Sequence, residues 1–88
     1  MTWTVRLSRG AARQFRQLPQ DQQALIRERL REMRDDPFSG DVTPLKGSRW
    51  QGRYRKRVGR YRLIFLPNHA EHIVEVSAIL LRNEQTYR

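Results

Sequence analysis

The chain has 88 residues, 38% of them hydrophobic and 31% charged, a balance typical of one small folded domain over residues 1–88. A domain of this size buries a modest core, so we expect a surface or shallow groove to do its work rather than a large enclosed pocket. Eighteen Lys and Arg residues against nine Asp and Glu residues give a net charge of +9, which favours a polyanionic partner. The sequence contains no cysteine, which excludes disulfides, thiol catalysis and thiolate metal sites.

The first half of the chain predicts a strand followed by two helices. Apolar and polar residues alternate over residues 3–7, which is the period of a half-buried strand. Ser8 stands at the N-cap position of a first helix, and Pro19 ends that helix. A stripe of apolar residues over 20–34 predicts a second, amphipathic helix. We expect the two helices to form a hairpin that covers a sheet.

The second half of the chain predicts the rest of that sheet. Residues 37–52 hold two prolines and three glycines and are expected to form an irregular loop. Strands are predicted over 53–58, 61–66 and 72–79, and the short turns between them favour antiparallel hairpins. The last of these strands is apolar on both faces and should lie inside the sheet. The predicted class is α+β, in the order β-α-α-β-β-β, with a helical hairpin packed on one face of an antiparallel sheet.

A basic segment runs from residue 46 to residue 62, with eight cations and no acid. Trp50, Tyr54 and Tyr61 are interleaved with these cations. Cations for phosphates combined with aromatic faces for bases are typical of single-stranded nucleic-acid binding. Side chains two positions apart in a strand share a face, which places Arg53, Arg55 and Arg57 in one row and favours phosphate contact over a merely solvated face. The residues predicted to contact RNA phosphate are Lys46, Arg53, Arg55, Lys56, Arg57 and Arg60.

Arg62 is a separate candidate because it stands in an otherwise apolar strand, on the face of Ile64 and Leu66. A charge there is costly unless it is paired, with Glu75 for example, or used in function. Tyr87 is either a packing anchor or a general base beside guanidinium groups. The sequence carries no carboxylate cluster for a metal, no P-loop and no nucleophile motif, so if RNA is cut, its own 2′-hydroxyl must be the nucleophile.

Three segments carry a family resemblance. They are Leu45-Lys46-Gly47, the run YRKRVGRYRLIF over residues 54–65, and the final segment from Arg82 to Tyr87. In these segments, and across essentially its whole length, the chain resembles the RelE/ParE superfamily of toxins from bacterial and archaeal type II toxin–antitoxin systems. The resemblance implies a cytoplasmic mRNA interferase, an endoribonuclease that enters the ribosomal A site and cleaves mRNA by 2′-hydroxyl attack without a metal or cofactor. The same fold hosts ParE-type toxins, which inhibit DNA gyrase, and a non-catalytic nucleic-acid-binding module is the third possibility.

The resemblance also implies roles for individual residues. Arg55 and Arg57 match strand residues that hold phosphate, and Arg62 matches an arginine expected to stabilise the transition state. Arg82 matches the arginine after the last strand, and Tyr87 the tyrosine proposed as general base. Many relatives have a histidine just before the late arginine, where this chain has Leu81. Members that rely on a glutamate–histidine pair are therefore poor guides to its chemistry.

The expected partners follow from the same resemblance. A cognate antitoxin with an acidic or extended segment should wrap the helical hairpin and the basic face, which the charge of +9 makes physically reasonable. The mRNA and the ribosomal RNA are the expected targets. Operator DNA is expected only through the antitoxin complex, and no apolar run predicts a signal peptide or a membrane partner.

Overall fold

The computed structural model describes residues 2–81. Its elements, in chain order, are β1 (Thr4–Leu7), α1 (Arg9–Arg16), α2 (Gln20–Met33), β2 (Val42–Pro44), a 3₁₀ turn (Ser48–Trp50), β3 (Tyr54–Val58), β4 (Tyr61–Asn68) and β5 (Ile73–Leu81). The strands form one sheet in the order β1-β5-β4-β3-β2. Within residues 2–81, neither helix is long and apolar enough to cross a membrane.

The predicted α+β class, with a helical hairpin beside a sheet, is confirmed, and the sheet differs from the prediction in two details. It is mixed, because β1 runs parallel to β5 while the other neighbouring strands pair antiparallel. The loop predicted over residues 37–52 contains a short fifth strand, β2, which pairs with β3 at the sheet edge. Pro44 is tolerated there because an edge strand needs hydrogen-bond donors on one side only.

The two faces of the sheet differ in what packs against them. We call the face packed against the helices and the core the inner face, and the opposite one the outer face. Alternation along the strands sends every second side chain inward. The residues of the buried core are Ala11, Ile26, Met33, Val58, Tyr61, Leu63, Phe65, Val74, Val76 and Ile79. Because the core occupies the inner face, the alternate side chains of β3 and β4, among them Arg55, Arg57 and Arg62, lie on the outer face.

Helix α1 is tied to β5 at the part of that strand that extends past β1. Ser8 caps the helix by accepting a hydrogen bond from the Ala11 amide, and its own hydroxyl donates to the Ser77 carbonyl at 3.1 Å. Farther along, the Ile79 amide donates to the Gln14 Oε1 at 2.8 Å. These contacts satisfy backbone groups that the shorter β1 does not reach, so they fix α1 along the edge of β5.

Candidate nucleic-acid interface

Three arginines lie together on the outer face. In the β3–β4 register, Arg57 stands directly opposite Arg62, and Arg55 stands opposite Ile64. Directly opposite residues of an antiparallel pair share a face, with Cβ atoms about 5 Å apart. The structure therefore brings together Arg55, Arg57 and Arg62, which we call the arginine row.

The charges of the arginine row are partly balanced by Asp41, a residue that the sequence analysis missed. Its carboxylate oxygens lie 3.8 Å from a terminal nitrogen of Arg55 and 3.8 Å from one of Arg57. The Asp41 side chain is 52% exposed, and ion pairs of this length at the surface contribute little to stability. The carboxylate is therefore a weakly bound counter-charge of the two guanidinium groups.

The guanidinium groups of the row are held in place to different degrees. Arg55 also donates to the Thr43 hydroxyl, and its side chain is only 15% exposed, against 39% for Arg57. The Nε atom of Arg62 is buried. Side chains that are already ordered lose less conformational entropy when they bind an anion. The row is thus partly preorganised to bind an anion.

Lys56 does not belong to this surface, which corrects the prediction that it contacts phosphate. It lies between Arg55 and Arg57, so the alternation of the strand turns it to the inner face, where it is 3% exposed. Its Nζ donates to the Ser39 carbonyl at 2.7 Å. Burial lowers the pKa of Lys56 from its ordinary 10.5, and the neighbouring Glu32 carboxylate opposes that shift.

Two of the interleaved aromatic residues also face inward, so they are not free to stack on bases. Tyr54 packs against Phe38 and Phe65 with ring centroids 5.2 and 5.7 Å away, and Tyr61 is 4% exposed in the core. Trp50 remains half-buried on the loop between β2 and β3, with the Arg49 guanidinium 5.7 Å from its ring. It is the aromatic residue of the basic segment that stays near the surface.

The remaining candidates lie outside the arginine row. Lys46 is exposed on the loop before β3, and Arg60 is exposed in the β3–β4 turn next to Gly59, whose φ of 56° suits glycine. Arg53 is half-buried, and its backbone bonds to Leu45 and to Trp50, which ties the loop to the start of β3. The predicted catalytic residues Arg82 and Tyr87 lie outside the described residues, beyond the end of β5.

A second basic feature lies at the opposite edge of the sheet. Between the free edge of β1 and α2 runs a groove of about 260 Å³, which we call the edge groove. Its apolar lining comes from Val5, Leu7 and Leu30, and its basic lining from Arg6, Arg27, Arg31 and Arg34. The Trp3 amide donates across the same edge to the Arg34 carbonyl at 2.7 Å. Because backbone direction alternates along a strand, the amides of the apolar β1 residues in the groove also point away from β5.

The helical hairpin and five-stranded sheet match those of solved toxins and toxin–antitoxin complexes. The toxin–antitoxin complex RelBE2 of Mycobacterium tuberculosis matches with a TM-score of 0.84 and 24% identity, over 93% of this chain and 100% of the other. The archaeal RelE–RelB complex of Pyrococcus horikoshii OT3 matches with a TM-score of 0.82 and 22% identity, over 96% and 99%. The YoeB/ParE toxin of Agrobacterium tumefaciens matches with a TM-score of 0.75 and 16% identity, over 91% and 99%. At these identities the likeness shows the fold.

The family is shown by sequence. The family model of the ParE toxin of type II toxin–antitoxin systems, parDE, matches residues 5–86, and the chain therefore belongs to this toxin family, within the RelE/ParE superfamily. A search of curated proteins found no match. Toxins of this family belong to type II toxin–antitoxin systems.

Proposed function

We propose that this toxin is an endoribonuclease that binds single-stranded RNA on the outer face and cleaves mRNA in the ribosomal A site, in the cytoplasm. The observation that supports the proposal is the arginine row. Guanidinium groups bind phosphate oxygens through paired, charge-assisted hydrogen bonds, and three of them on neighbouring strands can follow one RNA backbone. The net charge of +9 would also draw the protein to ribosomal RNA.

In the proposed reaction the RNA supplies its own nucleophile. A 2′-oxygen loses its proton to a general base and attacks the adjacent phosphorus, and the bond from phosphorus to the 5′-oxygen breaks. The departing oxygen takes up a proton, which leaves a 2′,3′-cyclic phosphate on one fragment and a 5′-hydroxyl on the other. Arg55 and Arg57 would hold the phosphate, and Arg62 would stabilise the charge that develops on the phosphorane.

The late residues complete the proposed site. Arg82 would add a further cation, and Tyr87 would act as the general base, as the family resemblance implies. At the end of β5, Leu80 stands opposite Arg62, so β5 ends beside the arginine row. No metal takes part in this scheme, since positioning and electrostatic stabilisation supply the acceleration.

Gyrase inhibition is the second candidate, and the family match itself favours it. The matching family carries the name of the ParE toxins. The family resemblance implies that toxins of the ParE type inhibit DNA gyrase and do not cleave RNA. In that case the arginine row would contact a protein or its bound DNA, and no bond in RNA would break. A non-catalytic nucleic-acid-binding module would use the same surface, again without cleavage.

The deciding experiment is primer extension on an mRNA in a purified translation reaction. We expect ribosome-dependent, codon-phased cuts from the wild type, and at least a hundredfold slower cutting from Arg62→Ala, because one donor to a developing negative charge is worth about that much. Tyr87→Phe should be similarly slow. Arg13→Ala, which removes an exposed charge from α1, is the matched control and should cut normally.

Parallel reactions separate the alternatives. One set omits ribosomes, and another measures supercoiling by gyrase. Intact mRNA with inhibited gyrase would reject the ribonuclease and support the second candidate. Intact mRNA and active gyrase, with RNA still bound, would leave the non-catalytic module.

The cognate antitoxin would dock in the edge groove. An extended acidic segment can add to the free edge of β1 through backbone hydrogen bonds, while its carboxylates meet the arginines of α2. Such a segment, continued around the sheet, could also cover the arginine row. The antitoxin would supply the DNA-binding part through which the complex meets its operator.

A further inference from the structure

The outer face carries a second cavity, away from the arginine row. It has a volume of about 420 Å³ and lies where β1, β5 and β4 run side by side. In register, Arg6 of β1 stands opposite Glu75 of β5, which in turn stands opposite Leu66 of β4. Ile73 and Glu71 complete the part of the lining that matters here. The volume lies within the usual range for small-ligand sites.

The charged groups of this cavity are not committed to each other. Arg6 and Glu75 are neighbours across β1 and β5, yet within residues 2–81 they form no ion pair, and neither does Glu71. Acids elsewhere in the protein do pair, as Glu28 does with Arg31 on α2 and Asp41 with the arginine row. The cavity therefore offers a guanidinium donor and carboxylate acceptors to something outside the protein, above an apolar floor.

We propose that this cavity binds a guanine base of the RNA whose phosphates lie on the arginine row. An ionised carboxylate only accepts hydrogen bonds, and guanine alone presents two adjacent N–H donors on its Watson–Crick edge, at N1 and N2. Next to them lies the O6 acceptor, which suits a guanidinium. Glu75 would accept from N1 and N2 while Arg6 donates to O6. Neighbouring strands are about 4.8 Å apart, which suits this side-by-side arrangement.

The position of the cavity fits a single RNA strand that engages both sites. Leu66 lies four residues after Arg62 on β4, on the same face, which is about 13 Å along the strand. The cavity would thus hold a base at some distance from the phosphate on the arginine row. Because phosphate contacts carry no sequence information, a base contact of this kind would give the proposed ribonuclease its sequence preference.

A cationic side chain of a protein partner is the competing occupant, since two carboxylates also attract a cation. The presence of Arg6 among the lining residues weighs against it, because the guanidinium would repel a cation at close range. Guanine uses both kinds of charge, whereas a lysine or arginine side chain uses only one.

The inference rests on the proposed RNA-binding function, and the test keeps the two apart. Short RNAs that differ at one position, guanine, inosine or adenine, are titrated against the protein by fluorescence anisotropy. They carry 2′-O-methyl groups so that no 2′-hydroxyl can attack. We expect the wild type to bind the guanine RNA about tenfold more tightly than the adenine RNA, as one good paired contact provides. The inosine RNA, which lacks the N2 amine, should fall between them.

The variant Glu75→Gln should lower the guanine preference to less than about twofold, while its affinity for the adenine RNA stays the same or rises. The matched control Glu28→Gln, on the exposed surface of α2, should keep the full preference. Equal affinity of the wild type for all three RNAs would overturn the inference and leave the proposed function standing. No RNA binding at all would overturn both. Binding of a lysine-rich peptide that is lost in Glu75→Gln, together with equal affinity for the RNAs, would assign the cavity to a protein partner.

Discussion

Asp41 gives the sharpest test of how the arginine row works. If a phosphate replaces its carboxylate between Arg55 and Arg57, the bound phosphate and the displaced carboxylate stand roughly 6 Å apart. Their repulsion is then about 0.7 kcal/mol at the dielectric constant of water and about 3 kcal/mol at an effective dielectric constant of 20. Because Asp41 is 52% exposed, we take a value near the lower end, about 1 kcal/mol. The variant Asp41→Asn should therefore bind single-stranded RNA about fivefold more tightly.

The assay is fluorescence anisotropy with a 2′-O-methyl RNA at two salt concentrations. The tightening should shrink as salt rises, because the repulsion between exposed charges is screened. Asp35→Asn, just after α2, makes the same charge change at an exposed position away from the row. This control variant should tighten binding by less than about twofold, since the two charges are far apart.

Two results would refute this reasoning. Equal tightening in Asp41→Asn and Asp35→Asn would show that only the net charge matters. Weaker binding by Asp41→Asn, with an unchanged circular dichroism spectrum, would show that the carboxylate orders Arg55 and Arg57 for the ligand rather than competing with it.

Three further predictions test the fold and the partner surface. Lys56→Met should leave RNA affinity within about twofold of the wild type. In urea unfolding, the free energy of unfolding of the wild type should rise with pH between the lowered folded-state pKa of Lys56 and 10.5, because the unfolded state binds more protons there. The variant should lack that rise. If Lys56→Met weakens RNA binding strongly, the inward placement of Lys56 does not hold in solution. Gln14→Ala leaves the Ile79 amide without its acceptor and should lower the free energy of unfolding in urea by about 1–3 kcal/mol. The control Gln17→Ala, at an exposed position, should lower it by less than about 0.5 kcal/mol. Equal losses would contradict the role of Gln14 at the edge of β5. Arg34→Glu in the edge groove should weaken antitoxin binding at least about tenfold in calorimetry. The control Arg16→Glu, at the end of α1, should change the affinity little. An equal loss in both variants would place the antitoxin elsewhere.

The sequence predicted the elements better than their pairing. The strands and helices follow from local periodicity and from signals such as Ser8 and Pro19, so their positions agree with the structure within a few residues. The parallel pairing of β1 with β5 joins segments far apart in the chain, and no local pattern encodes it. The strand β2 has three residues and stands among prolines and glycines, where loop signals conceal it.

A strand has a period of two, which predicted that Arg55 and Arg57 share a face. The predicted row also contained Arg53, which precedes β3, whereas the third member is Arg62, placed there by the β3–β4 register. The same period explains the errors in the predicted phosphate contacts. Arg55 and Arg57 share a face, so Tyr54 and Lys56 must share the other. The alternation of β3 therefore already assigned Lys56 to the core face. The prediction grouped all cations of the basic segment together and so counted Lys56 among the phosphate contacts. Asp41 could not be assigned to the row from the sequence, since the β2–β3 pairing that brings it there is non-local.

The composition of the outer face bears on the choice between RNA and a protein target. Protein–protein interfaces have an apolar centre and are depleted in charge there. Around the arginine row the outer face presents guanidinium groups, with Asp41 as their exposed counter-charge. Within residues 2–81, Leu81 at the end of β5 is the exposed large hydrophobic side chain. A surface of this kind gains most of its binding free energy from the release of counterions on a polyanion. A protein target at the arginine row would have to be acidic, whereas any RNA strand meets that requirement through its backbone alone.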